Sequence, residues 1–219
     1  MIKIEKTSVY GWEEAIRGMR NPMNSWDKSD SVWEFVEDPS IINPNDEVKW
    51  VIGENDLDLM RRLCKAGSDH RKFMRMLTVY VDITAPLYWW KEFDTYKVGT
   101  VANACSTMHK IHAKEFTLED FSVEHLNKFN TNLFKRIIEN LNTDRQKFLA
   151  TKDKDCWWQM IQLLPSSYNQ RRTIMLNYEV LVGMYHSRKN HKLDEWHTLC
   201  EWIEKLPYAN ELIIGIDKN

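Results

Sequence analysis

The 219-residue sequence has only four cysteines, Cys64, Cys105, Cys156 and Cys200, and no two of them form a CxxC pair. That spacing leaves no basis for a zinc knuckle or a thioredoxin-like redox site. Cysteines scattered mostly among apolar neighbours read as reduced core thiols of a cytoplasmic protein. Cationic excess is missing too: 30 Lys and Arg face 32 Asp and Glu, for a net charge of −2. A duplex binder needs a cationic face, so nucleic acid is not an expected partner. The charges are interspersed, which still allows a local basic pocket. No apolar run is long enough to cross a bilayer, and no leader pattern opens the chain, so neither a membrane nor export is expected. Internal repeats and low-complexity segments are likewise absent.

Aromatic residues are abundant: ten Trp, eight Tyr and eight Phe within a 43% hydrophobic composition. Rings at this density fill cores and subunit contacts before they bind ligands. Ile2 to Ile4 reads as a short strand. Trp12, Ala15, Ile16 and Met19, preceded by Ser8, are spaced as one helical face. Asn21 to Asp46, with Pro22, Pro39 and Pro44, reads as loop with room for a short helix. Asn55 or Asp56 caps a helix bearing Leu57, Met60, Leu63 and Cys64, which Gly67 ends. Met76 to Thr84 alternates strictly, with Leu77, Val79, Val81 and Ile83 on one side, and predicts a half-buried strand. Thr84 and Pro86 then open a helix. Ser122 is the expected cap of a long helix through Leu126, Phe129, Leu133, Ile137 and Leu141. Leu176, Val180, Leu181, Met184 and Tyr185 form one further buried stripe, and Leu193, Trp196, Leu199, Cys200, Ile203 and Leu206 the last. The order predicts a single α+β domain over residues 1–219 with a helical C-terminal half.

Residues 78–111 read TVYVDITAPLYWWKEFDTYKVGTVANACSTMHKI. This block resembles the centre of the flavin-dependent thymidylate synthases, the ThyX family, where a strand runs into Ala-Pro, a helix and the signature RHRxxSxNxxSxRY. The resemblance extends upstream through Leu57–Gly67 and His70, at a GHxxPF-type turn. Downstream it continues through Leu164-Pro165, Asn177 and Arg188. It implies a mainly antiparallel sheet with flanking helices, a homotetramer with sites between subunits, FAD as cofactor, and methylation of dUMP with methylenetetrahydrofolate. It further implies substrate contacts at Arg188, Cys105, Ser106 and Glu92, and cofactor contacts at Lys97, Asn177, Asn103 and His191.

The departures bear directly on chemistry. Thr95, Tyr96 and Lys97 stand where the family has Arg-His-Arg. Thr107 and Met108 replace the closing Arg-Tyr, Asn103 replaces a glutamate, and Ile161 and Glu179 replace two further arginines. Threonine cannot hold a phosphate as a guanidinium does, and lysine is only a point charge. Because the flavin carries the family's chemistry, a chain that cannot hold it cannot run that reaction. No residue is assigned as catalytic. Cys105 reads either as a nucleophile or as a stand-in for serine, and no His or Lys adjoins it. His109 and His112 read as a solvated helix face or as two ligands lacking a third, so no metal is expected. Trp89, Trp90 and Phe93 either stack on a ligand or belong to the core. Lys97 either holds an anion or lies free on the surface, and Arg188 either meets a ligand or forms a salt bridge. Two functions therefore stand open: altered nucleotide enzymology, or a non-catalytic nucleotide-binding or scaffold protein on the same fold.

Overall fold

The computed structural model describes residues 2–35 and 48–216. The expected loop over 21–46 is therefore described only through residue 35, with short 3₁₀ turns at Asn21–Met23 and Trp26–Lys28. In chain order the elements are β1 (Lys3–Tyr10), α1 (Trp12–Arg20), β2 (Val32–Phe35), β3 (Val48–Val51), α2 (Glu54–Lys65), β4 (Thr78–Pro86) and α3 (Leu87–Phe93). They continue with β5 (Val101–Ala104), α4 (Lys128–Thr151), α5 (Lys154–Leu163), β6 (Asn169–Asn177), α6 (Tyr178–Arg188) and α7 (Asp194–Ile203). Among the described residues no helix is long and apolar enough to cross a membrane.

Four strands form one antiparallel sheet in the order β1-β4-β6-β5. The alternation read in residues 76–84 is present in β4: Val79, Val81, Ile83 and Ala85 are buried, while Tyr80 is exposed. The inward face packs on α1, α2, α3, α6 and α7, with Trp89, Trp90, Trp196 and Tyr178 fully buried. Trp89, Trp90 and Phe93 are thus core residues, with Phe93 backing the cavity beside Lys97. A second, smaller cluster joins α4 and α5 to the segment before them through Ile111, Phe116, Phe121, Ile138, Leu141 and Met160. Backbone bonds from Leu87 N to Tyr168 O, Tyr88 N to Ser166 O and Ser122 N to Ser167 O tie the two together.

Several local readings need correction. β1 extends to Tyr10, so Ser8 lies in a strand opposite Tyr80, and α1 is instead entered from Gly11 at φ 92°. A side chain there would meet Met76 O at 2.2 Å, so only glycine fits this left-handed turn. Residues 169–177 form the central strand β6, although the second half of the chain reads as helical. The inward positions of β6 include Gln170 and Arg172, and these polar residues mask its period of two. The long helix α4 begins six residues after the expected cap. Asn127 caps it by accepting from Asn130 N at 2.9 Å, while Ser122 Oγ bonds Asn169 Oδ1. Phe129 and Leu133, expected on a buried stripe, are 78% and 51% exposed. Of the thiols, Cys64 and Cys200 are buried but Cys105 is exposed and Cys156 half-buried, so only two fit the core reading. Burial pushes the Cys64 thiol up to about 12 and Cys200 up to about 11, which keeps both protonated and unreactive.

One buried carboxylate organises the N-terminal third. Asp56 is fully buried on α2 and accepts from Arg20 Nε at 2.6 Å, Ser29 Oγ and Ser31 Oγ at 2.7 Å, and the amides of Asp30 and Ser31. Arg20 donates its remaining groups to the carbonyls of Ser25 and Lys28. Asp30, not a residue of α2, caps that helix by accepting from Asn55 N and Asp56 N. Burial alone would raise the Asp56 pKa, but the bonds from Ser31, Ser29 and Arg20 outweigh it and hold the carboxyl below its ordinary value. Its stabilisation is therefore complete above the unfolded carboxylate range and is lost as pH falls through the depressed folded value. Asp56→Ala leaves Arg20 as an unpaired buried charge and should cost about 3–5 kcal/mol. Denaturant unfolding at neutral pH measures that cost, and the wild-type–variant difference should shrink towards acid pH.

Candidate functional site

β4 and β6 place the candidate residues because each strand runs straight into a helix. β4 delivers α3 and the 94–100 loop behind it. β6 ends at Asn177, whose side chain caps α6 by accepting from Val180 N at 3.0 Å. α6 then runs back along the sheet until Arg188, at its last position, reaches the end of α3.

There Arg188 closes on Glu92. Its Nη1 donates to Glu92 Oε2 at 2.8 Å and its Nε to the Tyr96 hydroxyl at 2.9 Å. The guanidinium carbon lies 4.5 Å from the Trp196 ring centre, a cation–π distance. The same Glu92 oxygen accepts from Trp196 Nε1 at 3.0 Å and lies 3.3 Å from His191 Nε2. Three of the residues assigned to ligand contact, Glu92, Arg188 and His191, thus converge, and they bond to one another. Of the two alternatives for Arg188, the structure contains the salt bridge. Tyr96, unassigned in the sequence reading, is the cluster's fourth member. Its only signal was its place in the degenerate signature.

The same closure recurs twice nearby. Arg71 binds Glu179 through two parallel bonds, Nε to Oε2 at 2.9 Å and Nη2 to Oε1 at 3.2 Å. Arg172, on β6, donates to Asp94 Oδ1 at 2.7 Å and to Gln170 Oε1 at 3.0 Å, and stacks 4.2 Å over Trp90. Each guanidinium with reach into this region has its own carboxylate. Arg71 and Arg172 were not candidates, and their partners lie 108 and 78 residues away in sequence.

Lys97 is different. It is exposed and pairs with no carboxylate among the described residues. It lines a cavity of about 290 Å³ together with Phe93, Asp94, Tyr96, Thr100 and Ala102. Thr100 Oγ1 is buried there with no hydrogen-bond partner among the described residues. Gly99, at φ 76°, lets the loop pass against Asn177, whose Nδ2 a side chain would meet at 2.9 Å. Asn177 is thus both the cap of α6 and the seat of this loop. The remaining candidates lie along β5 and beyond it. Asn103 is exposed opposite Thr173. Cys105 is exposed, its amide bonded to Arg171 O and its carbonyl to Gln170 Nε2. Ser106 Oγ accepts from the amides of Met108 and His109, which turns the chain. His112 packs edge-on to Phe148.

This α+β sheet with helices on its inner face has the architecture of the flavin-dependent thymidylate synthases. Two solved structures of that class superpose along the whole chain, both of ThyX from Helicobacter pylori with FAD and dUMP. One has a TM-score of 0.67 at 15% identity, covering 99% of this chain and 100% of its own. The other has a TM-score of 0.68 at 15% identity, with complete coverage of both. No family model and no curated protein matches the sequence. The shared property is the fold, and the resemblance read from the Ala-Pro block leads to that same fold.

Arg71 and Glu179 are both shielded, with side chains 16% and 18% exposed. Arg71→Ala strands Glu179 and should cost about 1–3 kcal/mol. Adding Glu179→Gln to that variant should return part of the loss, and a double-mutant cycle on thermal or denaturant unfolding reads the coupling.

Proposed function

We propose that this chain is a divergent relative of the flavin-dependent thymidylate synthases that binds a nucleotide-class ligand without running the family's standard reaction. The observation that supports this most is the closed Arg188–Glu92 pair. A nucleotide phosphate is held by guanidinium groups with unspent donors and unspent charge. Here Arg188 already donates to Glu92 and Tyr96, and the carboxylate offers a second negative charge to any phosphate approaching it.

FAD raises the same difficulty in sharper form. Its diphosphate needs fixed cations. Arg71, Arg172 and Arg188 are each matched by Glu179, Asp94 and Glu92, which leaves Lys97 as the unpaired cation at the cavity among the described residues. These residues do not fit the cofactor's diphosphate, and no hydride transfer is derived through it. They fit better a ligand with little charge and several hydrogen-bonding groups. Such a ligand would meet Lys97, the buried Thr100 hydroxyl and the Tyr96 ring. Nucleosides have that chemistry, and a mononucleotide, with its phosphate monoester, would be held only weakly.

Assembly belongs to the same proposal. The sheet's outer face carries Tyr10 and Val101, both 60% exposed, and α4 carries Phe129 at 78%. These exposed apolar side chains favour self-association, and the homotetramer with sites between subunits is the form the resemblance implies. Light scattering should give a mass near four chains, and a stable monomer at high concentration overturns the assembly.

The functional reading is tested in two ways. The purified protein should be colourless, and the gene should fail to rescue a thymidine auxotroph; rescue would falsify the proposal. Isothermal titration with dUMP should reveal weak binding, and Glu92→Gln should tighten it by about 1.5–3 kcal/mol, the range for one hydrogen bond to a charged group. Arg188→Ala in that background should remove the gain. If neither dUMP nor uridine binds wild type or Glu92→Gln, the non-catalytic scaffold reading replaces this one.

A further inference from the structure

A second cleft lies remote from Arg188, between α1 and the β2–β3 arm. Its volume is about 250 Å³, and Glu13, Ile16, Arg17, Trp26, Ser29 and Trp50 line it, with Arg20 behind. It differs from an ordinary packing defect in three respects. Two indoles wall it, and Trp26 is 51% exposed at its mouth. Trp50 Nε1 is buried and has no hydrogen-bond partner among the described residues. A buried donor without an acceptor forfeits its hydration, so a guest acceptor that reached it by a small shift of the ring would be favoured. Arg17, exposed on α1, has no ion pair or hydrogen bond among the described residues, whereas Arg20 is spent on Asp56.

The other indoles of the region make different contacts. Trp26 Nε1 donates to Asn21 Oδ1 and Trp33 Nε1 to Glu13 Oε2. Trp33 meets Trp50 edge to face, with ring centres 5.1 Å apart, and so fixes the plane of the Trp50 wall. Aromatic walls alone would suit a quaternary ammonium ion by cation–π attraction. That ligand supplies no acceptor for Trp50 and is repelled by Arg17. A flat ring bearing a carboxylate satisfies both groups: its face lies against indole, and its oxygens accept from the Trp50 N–H and from Arg17. A volume somewhat below the usual range of about 300–1,000 Å³ for ligand pockets limits the guest to fragment size.

We propose that this cleft binds a small planar aromatic carboxylate, with Trp26 and Trp50 as walls and Trp50 Nε1 and Arg17 as its anchors. Glu13 sits one helical turn before Arg17 and opposes the anion, so it sets a ceiling on affinity.

The full chain, labelled with ¹⁵N, is titrated with indole-3-carboxylate and benzoate, and with choline as the cationic contrast. The indole resonance that disappears in Trp50→Phe should move downfield with the carboxylates and stay still with choline. Arg17→Ala should raise the Kd about tenfold, the lower end for loss of a hydrogen bond to a charged group. Glu13→Gln should lower the Kd, because its amide oxygen still accepts from Trp33 while the repulsion is gone. Arg17 is a surface residue, so its variant folds as wild type does and keeps the test open if Trp50→Phe is destabilised. An unmoved Trp50 resonance at millimolar carboxylate overturns the proposal, as does a Kd unchanged in Arg17→Ala or a response to choline alone. None of these outcomes depends on whether the Arg188 region binds a nucleotide.

Discussion

The pairing of β4 with β6 runs through nine residue pairs, from Thr78 opposite Asn177 to Pro86 opposite Asn169. Every candidate residue hangs from that ladder. Because the strands are antiparallel, α3 leaves from one end and α6 from the other. The eleven residues of α6 span about 16 Å at the rise of an α-helix, which carries Arg188 part of the way back along the ladder to meet Glu92 on α3. A slip of one residue would exchange inward and outward faces, moving Arg172 off Trp90 and Asn177 off the 94–100 loop. The ladder thus sets both the core and the meeting of charges above it.

Those charges meet in a consistent way. Three arginines of the region find carboxylates from distant parts of the chain, and each pair is partly shielded from solvent. Pairs in this setting are costly to break from one side, because the stranded partner keeps its desolvation penalty. They therefore rigidify the region while cancelling its potential. A site built to seize anions has the opposite arrangement, with cations held in place by neutral groups. The outer sheet face shows the same habit, where Asp82 is bridged by Thr173 and Arg171 and its carboxyl is held below the ordinary range.

Where the sequence carried a clean period, it told the fold well. Val79, Val81 and Ile83 are buried in β4 as read, though the strand runs from Thr78 to Pro86 and takes in the Thr84 and Pro86 read as a helix start, and α7 carries the apolar spacing read for it over Asp194–Ile203. β6 was hidden because Gln170 and Arg172 take inward positions that a pattern reserves for apolar side chains. They are tolerated there because Cys105 O, Asp94 and the Trp90 ring receive them, none of which is adjacent in sequence. The α4 start was misplaced because Ser122 and Asn127 are both good caps, and tertiary bonding to Asn169 took the serine. For the site, the Ala-Pro block and degenerate signature located the region and foretold a shortage of free arginines. They could not tell that Glu92 and Arg188, 96 residues apart, would close on each other. Such pairings are products of the fold, and no local signal carries them.

The two hydrophobic clusters differ greatly in size, and the bonds that stitch the smaller to the larger include Leu87 N to Tyr168 O, Ser122 Oγ to Asn169 Oδ1 and His125 Nε2 to Asp194 Oδ2. Local stability follows buried apolar contact, so the α4–α5 hairpin is expected to open at a lower free energy than the sheet. Its amides would exchange with solvent through partial openings that leave the sheet intact.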